Sequence, residues 1–240
     1  MSAAPVPRLS DSRVPRARLR PGPMYWFLRW GLRVVIALVL PMHLHVEGRE
    51  NVPREGGLLV ISNHIATADP PLLGALFPRP LHFMAKREWF QNRLIGWLAH
   101  EFLCFPVNRH TADRGALRTT LDLLAKGRAV GLYPEGTRAI DARMHPAEAG
   151  AGFLARQAGV AVLPVATWGG ENILPKGSKF PRIAQAHAHL AFGPPFHLPE
   201  GKMSNQEAAD YMMSKVAELL PTEYRGEYQA RVPVGARRAG

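Results

Sequence analysis

The segment Asn63-His64-Ile65-Ala66-Thr67-Ala68-Asp69 sets a histidine five positions before an aspartate, where the apolar run Leu58–Ser62 (LLVIS) ends. An imidazole whose second ring nitrogen is held by a carboxylate has a fixed tautomer and a stabilised protonated form. Such a ring can take the proton of a hydroxyl as that hydroxyl attacks a carbonyl. Asp69 also stands directly before Pro70, the arrangement of a helix N-cap followed by proline at the first helical position, so the expectation is that it both caps a helix and orients His64. A second segment, Leu132-Tyr133-Pro134-Glu135-Gly136-Thr137-Arg138, follows another apolar run (AVGL) 71 residues further on. Pro134 stops a β-ladder and Gly136 frees the backbone for a tight turn. That turn offers a hydroxyl, backbone N–H groups and a guanidinium, the donors a phosphate monoester asks for. Glu135 is expected to orient Arg138 or to accept from a substrate hydroxyl. Phe105-Pro106-Val107-Asn108-Arg109 ends a third apolar run in an arginine, and Val162-Leu163-Pro164-Val165 places a proline inside a fourth. Cys104, the single cysteine, sits in an apolar run and reads as core.

Holding these residues together requires a scaffold that brings the ends of several apolar runs to one edge, which a parallel sheet does. Short β-like runs are expected at His43–Glu47, Gly57–Ser62, Leu81–Ala85, Phe102–Val107, Ala129–Tyr133, Val160–Ala166 and His187–Phe192. Helical stretches fall between most of them, at Pro70–Phe77, Glu88–His100, Thr111–Ala125 and Ala147–Ala158. The alternation implies βαβ units: an α/β fold with a largely parallel sheet flanked by helices. A last helix begins at the capping box Ser204/Glu207, runs through Met212, Val216 and Leu219, and stops before Pro221.

Composition bounds the function. The 240 residues carry 30 Lys and Arg against 19 Asp and Glu, a formal charge of +11. Residues 1–33 hold +6 of it and residues 229–240 another +3, which leaves +2 on everything between. A basic front on a nearly neutral body argues against a nucleic-acid groove through the fold and for a terminus facing an anionic membrane. One cysteine excludes a disulfide framework and any multi-cysteine zinc site. Residues 1–23, rich in Pro, Arg and Ser, read as a disordered basic lead-in, and 229–240 as a basic tail. Residues 24–41 are apolar but interrupted by Arg29 and Arg33, too short and too charged to span a bilayer. At 100° per residue Trp26, Arg29 and Arg33 share one side, and Phe27, Leu28, Leu32, Val35, Leu38 and Val39 the other. This predicts an amphipathic helix in the membrane interface with its arginines on phosphates, or else a helix packed on the domain. No small-residue cleavage site follows it, so a cleaved leader is not expected and cytoplasmic exposure is.

In this order and at these separations the four segments resemble the four blocks of the lysophospholipid and glycerolphosphate acyltransferase family, most closely its bacterial 1-acylglycerol-3-phosphate type. The resemblance spans about Val46 to Pro195. It implies an acyltransferase domain over 42–228, with His64 the general base and Asp69 its partner. Arg109, Glu135, Gly136, Thr137 and Arg138 are implied for the acceptor's phosphate and glycerol, and Lys86 for further positive charge. The implied reaction moves a fatty acyl group from acyl-CoA or acyl carrier protein, as co-substrate, to the free hydroxyl of 1-acyl-sn-glycerol 3-phosphate. It yields phosphatidic acid with no metal, no cofactor and no nucleic-acid partner, at the cytoplasmic face of the membrane. Three departures stand out: Tyr133 where phenylalanine is common, no glycine between Glu101 and Pro106, and Glu148 in a segment where related chains often carry lysine. The alternatives are acylation of another acceptor (glycerol 3-phosphate, a lyso-aminolipid or a glycolipid), or a basic membrane- or nucleic-acid-binding module without catalysis.

Overall fold

The computed structural model describes residues 17–40, 44–108, 113–172 and 187–231. Seven strands form one sheet: β1 (Leu44–Glu47), β2 (Leu58–Ser62), β3 (Leu81–Lys86), β4 (Cys104–Val107), β5 (Ala129–Leu132), β6 (Ala161–Trp168) and β7 (Ala188–Phe192). Their spatial order is β1-β7-β6-β2-β5-β3-β4. The pairings of β2 with β5 and β6, and of β3 with β4 and β5, are parallel, while β7 runs antiparallel to β6 and parallel to β1. The expected largely parallel sheet is therefore present, with two reversed strands at one edge.

Helices α1 (Pro23–Val39), α2 (Asp69–Leu76), α3 (Arg93–Glu101), α4 (Arg114–Ala125), α5 (Ala149–Ala158) and α6 (Asn205–Leu219) cover it. Strand β2, central and covered on both faces, is buried along its whole length, as an uninterrupted apolar run requires. Each such fully buried aliphatic side chain contributes about 1.5–3 kcal/mol. On one face Leu59 and Ile61 pack with Leu123 and Leu124 of α4 and Met212 and Val216 of α6. On the other, Leu58 and Val60 pack with Leu73 of α2. Gly152 on α5 permits the close approach of α6, because a Cβ there would lie 1.9 Å from the Asn205 carbonyl oxygen.

Pro164 sits inside β6 where the ladder to β7 breaks. Val162 exchanges both backbone hydrogen bonds with Phe196, the Pro164 carbonyl accepts from Gly193, and regular pairing begins at Val165 with Phe192. The missing N–H thus falls at the break, which lets proline occupy an inner strand.

The helix expected over Glu88–His100 is two elements, a 3₁₀ turn (Arg87–Gln91) and α3. Asn92 divides them: its side chain accepts from the N–H groups of Leu94 and Ile95 at 3.0 Å and caps α3. Asp113 likewise caps α4 through Gly115 and Ala116. The capping box Ser204/Glu207 forms as the sequence predicts.

The front end differs from expectation. Residues 17–22, counted with the lead-in, are fastened to the domain: Arg18 pairs with Glu101 at 2.8 Å and its carbonyl accepts from His82 Nε2 at 2.8 Å. In α1 both arginines donate back to the domain, Arg29 from a buried position and Arg33 while still exposed. Arg29, 3% exposed, donates to the carbonyls of Ala75 (3.2 Å) and Phe77, and Arg33 to Ala75 at 2.6 Å. Those carbonyls end α2, where a cation is favoured. With Tyr25, Ile36 and Leu40 buried beside Arg29, α1 leaves Trp26, Phe27, Trp30, Val35 and Leu38 exposed.

Candidate active site

Strands β2 and β5 are neighbours, so the two segments that follow them meet at the carboxyl edge of the sheet. His64 is 9% exposed and its Nδ1 lies 3.0 Å from Oδ2 of Asp69, which is 1% exposed. The same Oδ2 accepts from the N–H groups of Ile65 (2.9 Å) and Ala66 (2.8 Å). Asp69 therefore does not act as the expected N-cap. It is the first residue of α2, and its carboxylate reaches backward to fold the loop that carries the histidine. With Nδ1 held by the carboxylate, Nε2 is the nitrogen left to accept a substrate proton.

Four further hydrogen bonds fix the backbone at Asn63 and His64. The His64 N–H donates to Glu135 Oε1 at 3.2 Å, and its carbonyl accepts from the N–H of Ala139 at 2.8 Å. Asn63, fully buried, donates through Nδ2 to the Thr167 carbonyl at 2.7 Å and accepts the Thr167 N–H at 2.9 Å, locking β2 to β6. Asn63 was not singled out from the sequence. The available sign was a residue with two hydrogen-bonding functions at the end of a wholly apolar run, where burial obliges both to pair.

Glu135 is also placed otherwise than expected. It is 5% exposed, its second oxygen accepts from His145 N–H at 3.1 Å, and both oxygens thus serve backbone N–H groups while Arg138 bonds to Thr67. Burial pushes its carboxyl up to about 7, partly offset by the two backbone donors. Gly136 turns the chain at φ +68°, and a Cβ there would lie 2.5 Å from Glu148 Oε1. Thr137 and Arg138 follow, exposed, with Arg138 bonded to the Thr67 hydroxyl. Lys86 is exposed at the end of β3 and lines neither cavity described below, and Arg109 lies outside the described residues.

Two cavities meet this edge. One, of about 390 Å³, runs from His64 past Tyr133 and Gly136 to Glu148 and the first turn of α5, with Met84 and Leu117 deeper in its walls. The other, of about 290 Å³, lies between α1, α2, α3 and the sheet, lined by Thr67, Pro70, Phe83, Trp89, Ile95 and Cys104 among others. Its walls are almost entirely apolar, and burial pushes the Cys104 thiol up to about 12, so it remains neutral there. Trp89 and Ile95 line this second cavity and are themselves half exposed, which brings its mouth to the surface beside Leu94 and Trp97 of α3. The Tyr133 ring lies between the two sides, 4.4 Å from the His64 ring and 6.3 Å, nearly parallel, from that of Phe83.

A buried carboxylate-held histidine beside a polar turn and an apolar cavity suits proton abstraction from a hydroxyl whose carbonyl target carries a long chain. The likeness to known proteins agrees. The chain is 32% identical over 158 residues to the 1-acyl-sn-glycerol-3-phosphate acyltransferase of Bacillus subtilis, covering 64% of this chain and 77% of that one. It is 35% identical over 139 residues to the lyso-ornithine lipid O-acyltransferase of Pseudomonas aeruginosa, covering 58% and 52%. The crystal structure of the 1-acyl-sn-glycerophosphate acyltransferase PlsC from Thermotoga maritima superposes with a TM-score of 0.65 at 26% identity, over 80% of this chain and 76% of that one. Residues 43–168, which contain His64, Asp69 and the turn at Gly136, match the family model described as Acyltransferase, and with that match the chain belongs to the acyltransferase family.

Proposed function

We propose that this acyltransferase moves a fatty acyl group from a thioester donor, coenzyme A or acyl carrier protein, to the free hydroxyl of 1-acyl-sn-glycerol 3-phosphate. The observation that carries the reading is the 3.0 Å pair of His64 Nδ1 and Asp69 Oδ2, with His64 lining one cavity and Thr67 and Pro70, on either side of Asp69 in sequence, lining the apolar one. His64 Nε2 takes the hydroxyl proton as the oxygen attacks the thioester carbonyl. The imidazolium, held by Asp69, then returns the proton to the departing thiolate sulfur. No covalent intermediate on the enzyme is needed, and Cys104, neutral and on the apolar side, takes no part.

Placement of the substrates follows from chemistry. The acyl chain belongs in the apolar cavity under α1, α2 and α3. The acceptor headgroup belongs in the other, which the Gly136 turn and the first turn of α5 line and where the N-terminus of that helix favours an anion. Arg138, fixed to Thr67, adds the exposed cation of that side, and the resemblance adds Arg109. The apolar surfaces of α1 (Phe27, Trp30, Leu38) and α3 (Leu94, Trp97) flank the acyl cavity's mouth, and a peripheral seat on the membrane's cytoplasmic face covers them.

A second acceptor class has specific support. Glu148 lines the acceptor cavity beside Gly136, where a carboxylate suits an ammonium-bearing lysolipid better than a phosphate monoester. The likeness to a lyso-ornithine lipid O-acyltransferase points the same way.

The test is thiol release from oleoyl-CoA with and without lysophosphatidic acid, run beside His64→Ala. Release that needs both the lysolipid and His64 is expected. A variant that keeps a tenth or more of the parent rate removes His64 as the base.

A further inference from the structure

Tyr133 follows β5 at the sheet's carboxyl edge, and its ring is sandwiched between those of His64 and Phe83. Its hydroxyl oxygen is closed off from solvent and has no hydrogen-bond partner. The contrast with the other enclosed tyrosines is plain: Tyr224 donates to Glu171 at 2.8 Å and Tyr228 to Asp210 at 2.9 Å. Buried polar groups almost always pair, so a donor left open beside a reactive histidine calls for a partner that arrives with the substrate. The Tyr133 side chain packs with Phe83, Cys104 and Leu73 of α2 on one face of the sheet. Phe83, Cys104 and residues of α2 also wall the acyl cavity.

The acyl chain itself offers no hydrogen-bond acceptor. Its one polar atom at this depth is the carbonyl oxygen, which must lie beside His64 for the acceptor hydroxyl to be deprotonated as it attacks. We propose that Tyr133 is a catalytic residue, donating its hydroxyl hydrogen bond to the carbonyl oxygen of the acyl thioester and to the oxyanion that this oxygen becomes. The acceptor oxygen forms the new C–O bond while His64 takes its proton, and the negative charge gathers on the oxygen facing Tyr133. Collapse breaks the C–S bond, and His64 hands the proton to the sulfur. Tyr133 keeps its own proton throughout. Burial, with Asp69 and Cys104 nearby, pushes that phenol well above its ordinary range, so it acts as a donor at every working pH.

The proposal rests on the acyl-transfer reading, and one experiment separates the two. Tyr133→Phe keeps the ring against His64 and Phe83 and removes only the hydroxyl. Steady-state rates with oleoyl-CoA and lysophosphatidic acid, taken with thermal melts, should show kcat lowered about a hundred- to a thousandfold, the range of a lost oxyanion donor. KM for the lysolipid should stay within about twofold and Tm should be unchanged or higher, because an unpaired buried donor has gone. A kcat within twofold of the parent overturns the proposal, as does a loss that appears only in the lysolipid KM or that tracks a lowered Tm. A second arm replaces Tyr133 by 3-fluorotyrosine, whose more acidic phenol shifts kcat if the hydroxyl touches the oxyanion and leaves it unmoved if the ring merely packs. A parent protein without lysolipid-dependent thiol release would sink the acyl-transfer reading itself, and this role with it.

Discussion

The backbone N–H of His64 donates to the side-chain carboxylate of Glu135, 71 residues away, at 3.2 Å. The other oxygen of the same carboxylate accepts from His145 N–H at 3.1 Å. One buried acidic side chain thus ties the base-bearing loop after β2 to both ends of the turn after β5.

The ionisation of Glu135 links stability to pH. Its carboxyl stands near 7 in the folded protein and near 4.5 when unfolded, so the folded state holds a proton more readily. That contribution is complete below the unfolded value and is lost as pH rises through 7. Melting curves from pH 4 to 8 should show the parent losing stability relative to Glu135→Gln as pH rises, by up to about 3 kcal/mol. A constant difference between the two across that range would remove Glu135 as the titrating group.

Replacing Asp69 by asparagine retains an oxygen for the N–H groups of Ile65 and Ala66 but removes the charge that stabilises the His64 imidazolium. Thermal stability should change little while kcat drops by about 10²–10⁴-fold, the scale seen when such a carboxylate is neutralised. An unaltered kcat with a lowered Tm would mark Asp69 as a loop fastener only.

The two sides of α1 should separate in experiment. Phe27→Ser combined with Leu38→Ser should release the protein from vesicles containing anionic lipid without lowering Tm, since both side chains are exposed. Arg29→Met should do the reverse to stability, lowering it by about 1–3 kcal/mol because the Phe77 carbonyl loses its donor and the Ala75 carbonyl keeps only Arg33. Vesicle binding that survives the double serine variant would place the membrane contact elsewhere.

Glu148 offers a test of acceptor choice. Glu148→Lys should move the ratio of kcat/KM for lysophosphatidic acid over that for lyso-ornithine lipid about tenfold toward the phosphate, the effect of reversing one charge beside the headgroup. A ratio that does not move would take Glu148 out of acceptor recognition.

Much of this architecture was legible before any coordinates. The run Leu58–Ser62 reads as a strand covered on both faces because nothing polar interrupts it, and Ser204 with Glu207 marks the start of α6 because a capping box is a local device. What local pattern could not show are choices made by distant partners. Arg29 and Arg33 look like lipid-facing cations on a helical wheel, yet the open carbonyls of α2, more than forty residues away in sequence, take both as donors. Asp69 looks like a forward cap, yet the N–H groups of Ile65 and Ala66 claim its oxygen. The pairing of Glu135 with His64 was hidden for the same reason: it depends on β2 and β5 being adjacent in space, which only the folded sheet establishes.

Helix α2 joins the membrane-proposed helix to the catalytic loop end to end. Asp69 opens it and the carbonyls that seat Arg29 and Arg33 close it, eight residues in all, a rod of about 12 Å. The height of His64 above whatever surface α1 rests on is then a fixed length rather than an adjustable one. A lysolipid whose free hydroxyl stands at that height meets the base without leaving its leaflet completely, and one whose hydroxyl lies deeper must be lifted by the difference. The short helix would thereby act as a gauge that sorts lipids by where along the molecule their reactive oxygen is found.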